Sequence, residues 1–320
     1  MKIIDLINRF SKTQISYSFE YYVPRIDEDI NLLYHCIESM RILTPQFIDI
    51  TWRIGPRAKK SLEICGKCIR YFNIETMMHI ACRDLTTKQV DSILNEARSS
   101  GIMNLLVLQG DSASESSCAK GDFIHSIDLV RYIRRNWGDY FGIAVAGYPE
   151  GHPKSNSIDE DIGYLKEKVD AGADFIITQL FYDVSVFIRW VEKCRKIGIR
   201  CPIVPGIMPI KSYRGFRRII ELCGVRLPGQ LLEALEIVKD NDEAINKLGI
   251  EFAVDMCLKL IRSGFNHFHF YVLNHDRTIK QVLERIGSFN ITWRPVNRED
   301  VYKNEQFSNN NRKMVVGTNQ

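Results

Sequence analysis

The feature that most limits what this chain can fold into is an alternation of short apolar runs with amphipathic helical stretches. It repeats at a spacing of roughly 30 residues, the signature of βα units joined into a parallel sheet. The apolar runs predict strands over 15–24, 47–52, 76–82, 104–111, 141–149, 175–182, 202–210 and 267–274. Spacing of three and four predicts helices over 27–43, 59–71, 86–99, 122–136, 158–171, 184–196 and 277–286, with two or three more over 212–262. Ile3, Ile4, Leu6, Ile7 and Phe10 predict a short helix packed on the body of the protein. Eight such units within 320 residues predict an α/β fold, a closed (β/α)8 TIM barrel with a short N-terminal helix and a polar C-terminal tail. The rival is an open doubly wound sheet. Such sheets often carry G-x-G-x-x-G after the first strand, and this chain contains no G-x-G. The barrel is read over 1–289, and the tail, extended or the start of a linker, over 290–320.

Composition narrows the function classes. A formal net charge of +4 is mild for this length and gives no reason to expect nucleic acid. No apolar run approaches the roughly 18 residues of a membrane span, and the N-terminus lacks a signal-peptide core. The nine cysteines are scattered and odd in number, which suits a reducing, cytoplasmic setting. Cys65 and Cys68 form the single C-x-x-C, without a second pair at zinc spacing, so no metal is expected.

The first strand carries the most telling residue. Ile15, Tyr17 and Phe19 alternate with Ser16, Ser18 and Glu20, the period of two of a strand. With helical stretches on both sides, both faces should be covered, and a carboxylate there is costly unless it has a purpose. Pro24 stops the strand and leaves Glu20 near its C-terminal end. Barrel enzymes keep their active sites at those ends. Read in order, the ends supply Glu20, Thr51, His79, Asp111, Tyr148, Gln179 and Tyr271; Asp49 shares a face with Phe47 and Thr51. Taken singly, each has an ordinary explanation: a rim ion pair for Glu20, a core imidazole for His79, a turn for Asp111, packing for the tyrosines, a solvated helix face for Asp161 and Lys168. Together they suit a flat polar heterocycle with one proton donor. A general acid at neutral pH needs a raised pKa, and burial at a barrel mouth is expected to supply it.

Eight motifs in order carry a resemblance. They are Ser18–Arg25 (SFEYYVPR), Asp49–Trp52 (DITW), His79–Cys82 (HIAC), Leu108–Asp111 (LQGD), Gly147–Pro153 (GYPEGHP), Ile177–Asp183 (ITQLFYD), Pro205–Ile210 (PGIMPI) and His269–Asn274 (HFYVLN). Over about residues 1–287 the chain resembles the methylenetetrahydrofolate reductases. The resemblance implies a flavoprotein oxidoreductase of one-carbon metabolism. It would pass hydride from NADPH or NADH through FAD to 5,10-methylenetetrahydrofolate, giving 5-methyltetrahydrofolate for methionine biosynthesis. Glu20 would be the acid that opens the folate's five-membered ring. Asp111, Gln179 and Tyr271 would hold the folate. FAD would be held by Thr51, Trp52, His79, Gln109, Gly110, Asp111, His125, Ser126, Tyr148, His152, Pro153, Lys154, Ser155, Asp161 and Lys168. A homo-oligomer is also expected, although the sequence does not fix the oligomeric state.

The chain departs from the family pattern at Gln109 and His275, where arginines are usual, at His125, where a tyrosine is usual, and at Val23, where a proline is usual. These departures bear on cofactor and folate affinity more than on reaction type. They keep open an alternative, a catalytically weak paralogue that binds flavin or folate beside an active subunit. A different FAD-barrel oxidoreductase is disfavoured by the pterin-type motifs at Gln109–Asp111 and Gln179. Eukaryotic members carry a C-terminal regulatory domain that binds S-adenosylmethionine. Here Thr292–Pro295 resembles the start of the linker to it, so the sequence reads either as a form without that domain or as a catalytic fragment.

Overall fold

The computed structural model describes residues 1–9, 14–52, 58–110 and 121–288. Nine strand segments form one wholly parallel sheet: β1 (Ser16–Tyr21), β2 (Ile48–Ile50), β3 (Thr76–Ala81), β4 (Asn104–Leu108), β5 (Gly142–Gly147), β6 (Phe175–Thr178), β7 (Ile203–Val204), β8 (Gly206–Ile207) and β9 (His267–Tyr271). Their order is β7-β6-β5-β4-β3-β2-β1-β9-β8. β7 and β8 are two halves of one barrel strand. Pro205 has no N–H to give to the ladder and interrupts the strand, while its carbonyl accepts from His269 N at 3.0 Å. β7 therefore pairs with β6 and β8 with β9, and the ring of eight strands closes. The strand expected over 202–210 is shortened and divided for this reason.

Helices α1 (Ile3–Arg9), α2 (Asp29–Arg41), α3 (Ala58–Lys67), α4 (Thr87–Ser99), α5 (Ser126–Trp137), α6 (Ile158–Asp170), α7 (Val184–Lys196), α8 (Tyr213–Cys223), α9 (Gly229–Val238), α10 (Asp242–Arg262) and α11 (Asp276–Ser288) complete the described chain. Two expected helices differ at their ends. The one over 59–71 leaves α geometry at Cys68 for a π-helical turn and is stopped by Asn73, a left-handed residue at φ 53°. The one over 122–136 starts only at Ser126, because the Asp128 carboxylate accepts from His125 N at 2.9 Å and fixes the helix entry there.

The alternation along each strand sorts the core into two bodies. Outward residues such as Phe19, Ile50, Met78, Ile80, Val107 and Val145 pack against the helices. Inward residues Phe47, Met77, Leu106, Ala144, Phe175, Ile177 and Val204 fill the lower barrel, joined by Ile3 from α1. The Asn104 side chain accepts from Ile3 N at 2.8 Å and donates to Met1 O at 2.9 Å. The N-terminal helix is therefore a plug for the N-terminal end of the barrel, which leaves the opposite end for chemistry. Cys65 and Cys68 are buried among apolar groups, burial pushes Cys68 up to about 12, and all eight cysteines among the described residues are free. Among those residues no helix is long and apolar enough to cross a membrane.

Candidate functional site

In the parallel register Glu20 on β1 lies beside Asp49 on β2 and Tyr271 on β9. The period of two then turns Ser16, Ser18 and Glu20 to the barrel interior, while Phe19 and Tyr21 go to the outer core. Glu20 Oε2 lies 3.6 Å from His79 Nε2 and 3.6 Å from His269 Nε2. Asp49 Oδ2 lies 3.4 Å from the same His79 nitrogen and 3.7 Å from that of His269. Two carboxylates thus alternate with two imidazoles around a ring. Glu20, Asp49 and His269 also form a group of metal-type ligand atoms within 4.8 Å of one another, and they are members of this same ring.

A polar ladder runs down the barrel interior from this ring. Ser18 Oγ is 2.9 Å from His269 Nδ1 and 3.5 Å from His267 Nε2, and Ser16 Oγ is 2.7 Å from His267 Nδ1. The Ser18 contact uses Nδ1 of His269 and leaves its Nε2 aimed at the carboxylates. His267 and His269 both stack on Phe47, with ring centroids 5.7 and 6.2 Å away.

The electrostatics correct the sequence-based expectation for Glu20. Burial alone would raise its carboxyl, but the neighbouring His269 and His79 outweigh burial and hold it below its ordinary value. Asp49 goes the other way: burial raises it, and His269 and His79 only partly offset that. Burial would lower His79, yet Asp49 and Glu20 together hold it above the usual imidazole value. A proton here is thus shared by the ring rather than held by Glu20 alone.

Among the described residues His267 has no carboxylate beside it, and burial, with some repulsion from His269, pushes it down to about 3. A lowered imidazole stays neutral in the folded protein while the unfolded chain protonates below roughly pH 6.5. Its contribution is therefore full above that pH and is lost as pH falls toward about 3. Urea midpoints measured from pH 7 to pH 4 should fall less steeply for His267→Gln than for the wild type; parallel curves would show that His267 titrates normally.

The other expected residues take up several positions. Tyr271 donates its phenol proton to Thr178 O at 2.7 Å, across the β6 end. Gln179 follows directly, its amide oxygen accepting from Leu180 N at 2.9 Å. Thr51 caps the β2 end, its hydroxyl accepting from Val23 N at 3.1 Å, and Trp52 packs against the outer core. Tyr148 and His152 meet edge to face at 4.7 Å, and His152 Nδ1 accepts from Lys154 N at 3.1 Å. Ser155 Oγ reaches Asp161 Oδ1 at 3.5 Å. Pro153 faces Gly224. Asp161 is buried rather than solvated, and burial raises it against the charge of Lys168. Lys168 sends its ammonium inward to Ala146 O at 3.1 Å, where burial lowers it to about 8.

Gln109 Nε2 donates to Ile124 O at 3.2 Å, which brings it to the loop that leads through His125 into Ser126, the first residue of α5. Gly110 takes φ +87°, with room for no Cβ beside Ala81. Asp111 lies outside the described residues. Sequence reasoning singled out neither Asp49 nor His269 as functional. Each reads alone as an inward polar residue, and only the register brings them to Glu20.

The geometry can be set beside known proteins. The family model described as methylenetetrahydrofolate reductase matches residues 5–287. The chain is 41% identical to methylenetetrahydrofolate reductase (NADH) 1 of Arabidopsis thaliana, covering 94% of this chain and 55% of that protein. It is 40% identical to methylenetetrahydrofolate reductase 1 of Schizosaccharomyces pombe, covering 92% and 50%. It is 34% identical to a probable methylenetetrahydrofolate reductase (NADPH) of Caenorhabditis elegans, covering 85% and 42%. The chain thus spans about half the length of these relatives. A solved Clostridium thermocellum protein, described as binding two copies of 5-methyl-5,6,7,8-tetrahydrofolic acid, shares the fold, with a TM-score of 0.60 over 89% of this chain and 99% of that one at 12% identity. A family match across almost the whole barrel, together with relatives near 40% identity, means that this chain belongs to the methylenetetrahydrofolate reductase family.

Proposed function

We propose that this barrel reduces 5,10-methylenetetrahydrofolate to 5-methyltetrahydrofolate with electrons from NADH or NADPH, as a cytoplasmic enzyme of one-carbon metabolism. The observation that carries the reading is Glu20, a carboxylate at the mouth of the barrel ringed by two imidazoles and a second carboxylate. The reaction adds a hydride and a proton to the folate, and such a ring is suited to the proton.

FAD is the cofactor of this reading, and the residues present fit it. Lys168 is a cation turned inward whose one hydrogen bond among the described residues goes to Ala146 O, leaving donors for an anionic group. Asp161, Ser155, His152 and Tyr148 cluster beside it, with hydroxyl, carboxylate and imidazole groups for a ribose and a diphosphate. Gly110, tight against Ala81, offers bare backbone at the β4 end. When bound, the flavin supplies hydride acceptance from the nicotinamide and hydride donation to the folate.

The chain's own residues supply the rest. Gln179 and Tyr271, at the ends of the two strands that flank the β7–β8 strand, orient the pterin. Covering the mouth with pterin removes water from Glu20, strengthens the burial effect and moves a proton from the ring onto its carboxyl. Glu20 then protonates the folate nitrogen that leaves when the five-membered ring opens, and the exposed one-carbon unit accepts hydride. An anaerobic assay of the purified, FAD-supplemented protein with NADH or NADPH tests the reading. 5-Methyltetrahydrofolate is the expected product, and nicotinamide oxidation without any methyl product would reject it.

Lys168→Met should weaken FAD binding by about tenfold to a hundredfold, the loss of one charge-assisted hydrogen bond, while Lys168→Arg retains most of it. Flavin fluorescence quenching on titration measures this; equal affinity in all three proteins would move the flavin away from α6.

A further inference from the structure

Asp49 is fully buried, and its Oδ1 has no hydrogen-bond partner. A carboxylate in that position costs several kcal/mol unless neighbours compensate. The compensation comes through Oδ2, which faces His79 and His269, the same two imidazoles that face Glu20. The groups around this space are Ser18 and Glu20 from β1, Asp49 from β2, His79 from β3, and His269 and Tyr271 from β9. Among the described residues no lysine or arginine is part of this set. The side chain of Glu20 is 19% exposed, against 0–5% for Asp49, His79 and His269. Glu20 is thus the gate through which a proton can leave the ring or enter it.

Asp49 acts on both of its neighbours in the same sense. Its negative charge repels the charge of Glu20, which favours the protonated acid, and it attracts a proton onto His79. The raised value of His79 and the burial-raised value of Asp49 agree with a ring that retains protons. The distances of 3.4–3.7 Å exceed ordinary hydrogen bonds, and catalytic contacts of this kind tighten when substrate closes the site.

We propose that Asp49 is a positioning residue of the reaction: with His79 and His269 it holds, in one shared ring, the proton that Glu20 delivers to the folate. The inference rests on the proposed reaction. As pterin covers the mouth the proton passes from the His79 imidazolium to the Glu20 carboxylate, and from that carboxyl to the folate nitrogen, which leaves the ring one proton short. After product release the ring regains one proton from water through Glu20. One proton is consumed per hydride, as the overall reduction requires.

The test is Asp49→Asn in the full, FAD-loaded chain, with both half-reactions followed by stopped flow from pH 5.5 to pH 8.5. Without the Asp49 charge the ring should hold its proton less well. The alkaline limb of the folate half-reaction should then move by about one pH unit toward acid, so that the variant is roughly tenfold slower at pH 7.5 and within about threefold of wild type at pH 5.5. Flavin reduction by the nicotinamide should stay within about threefold throughout. A loss that is the same at every pH, or equal in both half-reactions, would overturn the proposal and make Asp49 structural. If the variant does not fold, or if the wild type turns over no folate (the failure of the proposed function instead), histidine NMR of the flavin-free wild type still decides. His79 should titrate above about 6.5 and fall toward it in Glu20→Gln, which removes one of the two carboxylates that face it. A His79 that titrates at or below its ordinary value, unmoved by that change, would overturn the shared ring.

Discussion

Glu20→Gln is expected to leave flavin reduction by NADH or NADPH within roughly tenfold of wild type, while reoxidation by methylenetetrahydrofolate falls by about 10²–10⁴-fold, the usual loss of an acid catalyst. The substitution keeps the size of the side chain and most of its hydrogen-bonding capacity, and it removes only the transferable proton. Hydride transfer from nicotinamide needs no proton from this position. If Glu20 were a rim ion pair, the same change would cost little and would cost both steps equally. Because His79 and His269 hold the Glu20 carboxyl below its ordinary value in the free protein, the split should be visible only once folate covers the mouth.

The second large effect is structural and lies where the barrel closes. A Cβ on Gly206 would sit 2.2 Å from Thr178 O and 2.8 Å from the Tyr271 ring. Thr178 O is the acceptor of the Tyr271 hydroxyl, and Gly206 N donates to the Thr178 hydroxyl at 3.0 Å. The clash is with backbone, so no side-chain rotation relieves it. Gly206→Ala should destabilise the protein by about 3 kcal/mol, lower Tm by roughly 6 °C, and slow the folate half-reaction by displacing Tyr271. Gly163→Ala, in the middle of α6 with nothing within 4 Å of the added carbon, is the matched control and should be neutral or slightly stabilising. Equal melting temperatures for the two variants would mean that the β6–β8 contact yields easily.

Most of the barrel was legible because a strand buried on both faces and an amphipathic helix leave different periods in the sequence, and eight repeats leave little topological choice. The break at Pro205 was legible in principle, since a proline inside a central strand argues against continuity. The role of α1 as a plug was not, because Ile3 reads the same whether it meets an outer face or the interior. Within the site, Glu20 stood out as a carboxylate on a strand with both faces covered. Asp49 and His269 did not, since their meeting depends on the registers of β1 with β2 and β9. The direction of the Glu20 shift was misjudged because burial and His79 were foreseeable from the strand ends, while His269, which joins His79 in outweighing burial, was not.

The most direct measurement is one anaerobic sample of the FAD-reconstituted chain followed by its visible spectrum. Adding NADH or NADPH should bleach the flavin band, and subsequent methylenetetrahydrofolate should restore it with formation of one methyl product per flavin. A band that bleaches and returns only when air is admitted would contradict the assignment of folate reduction to this barrel.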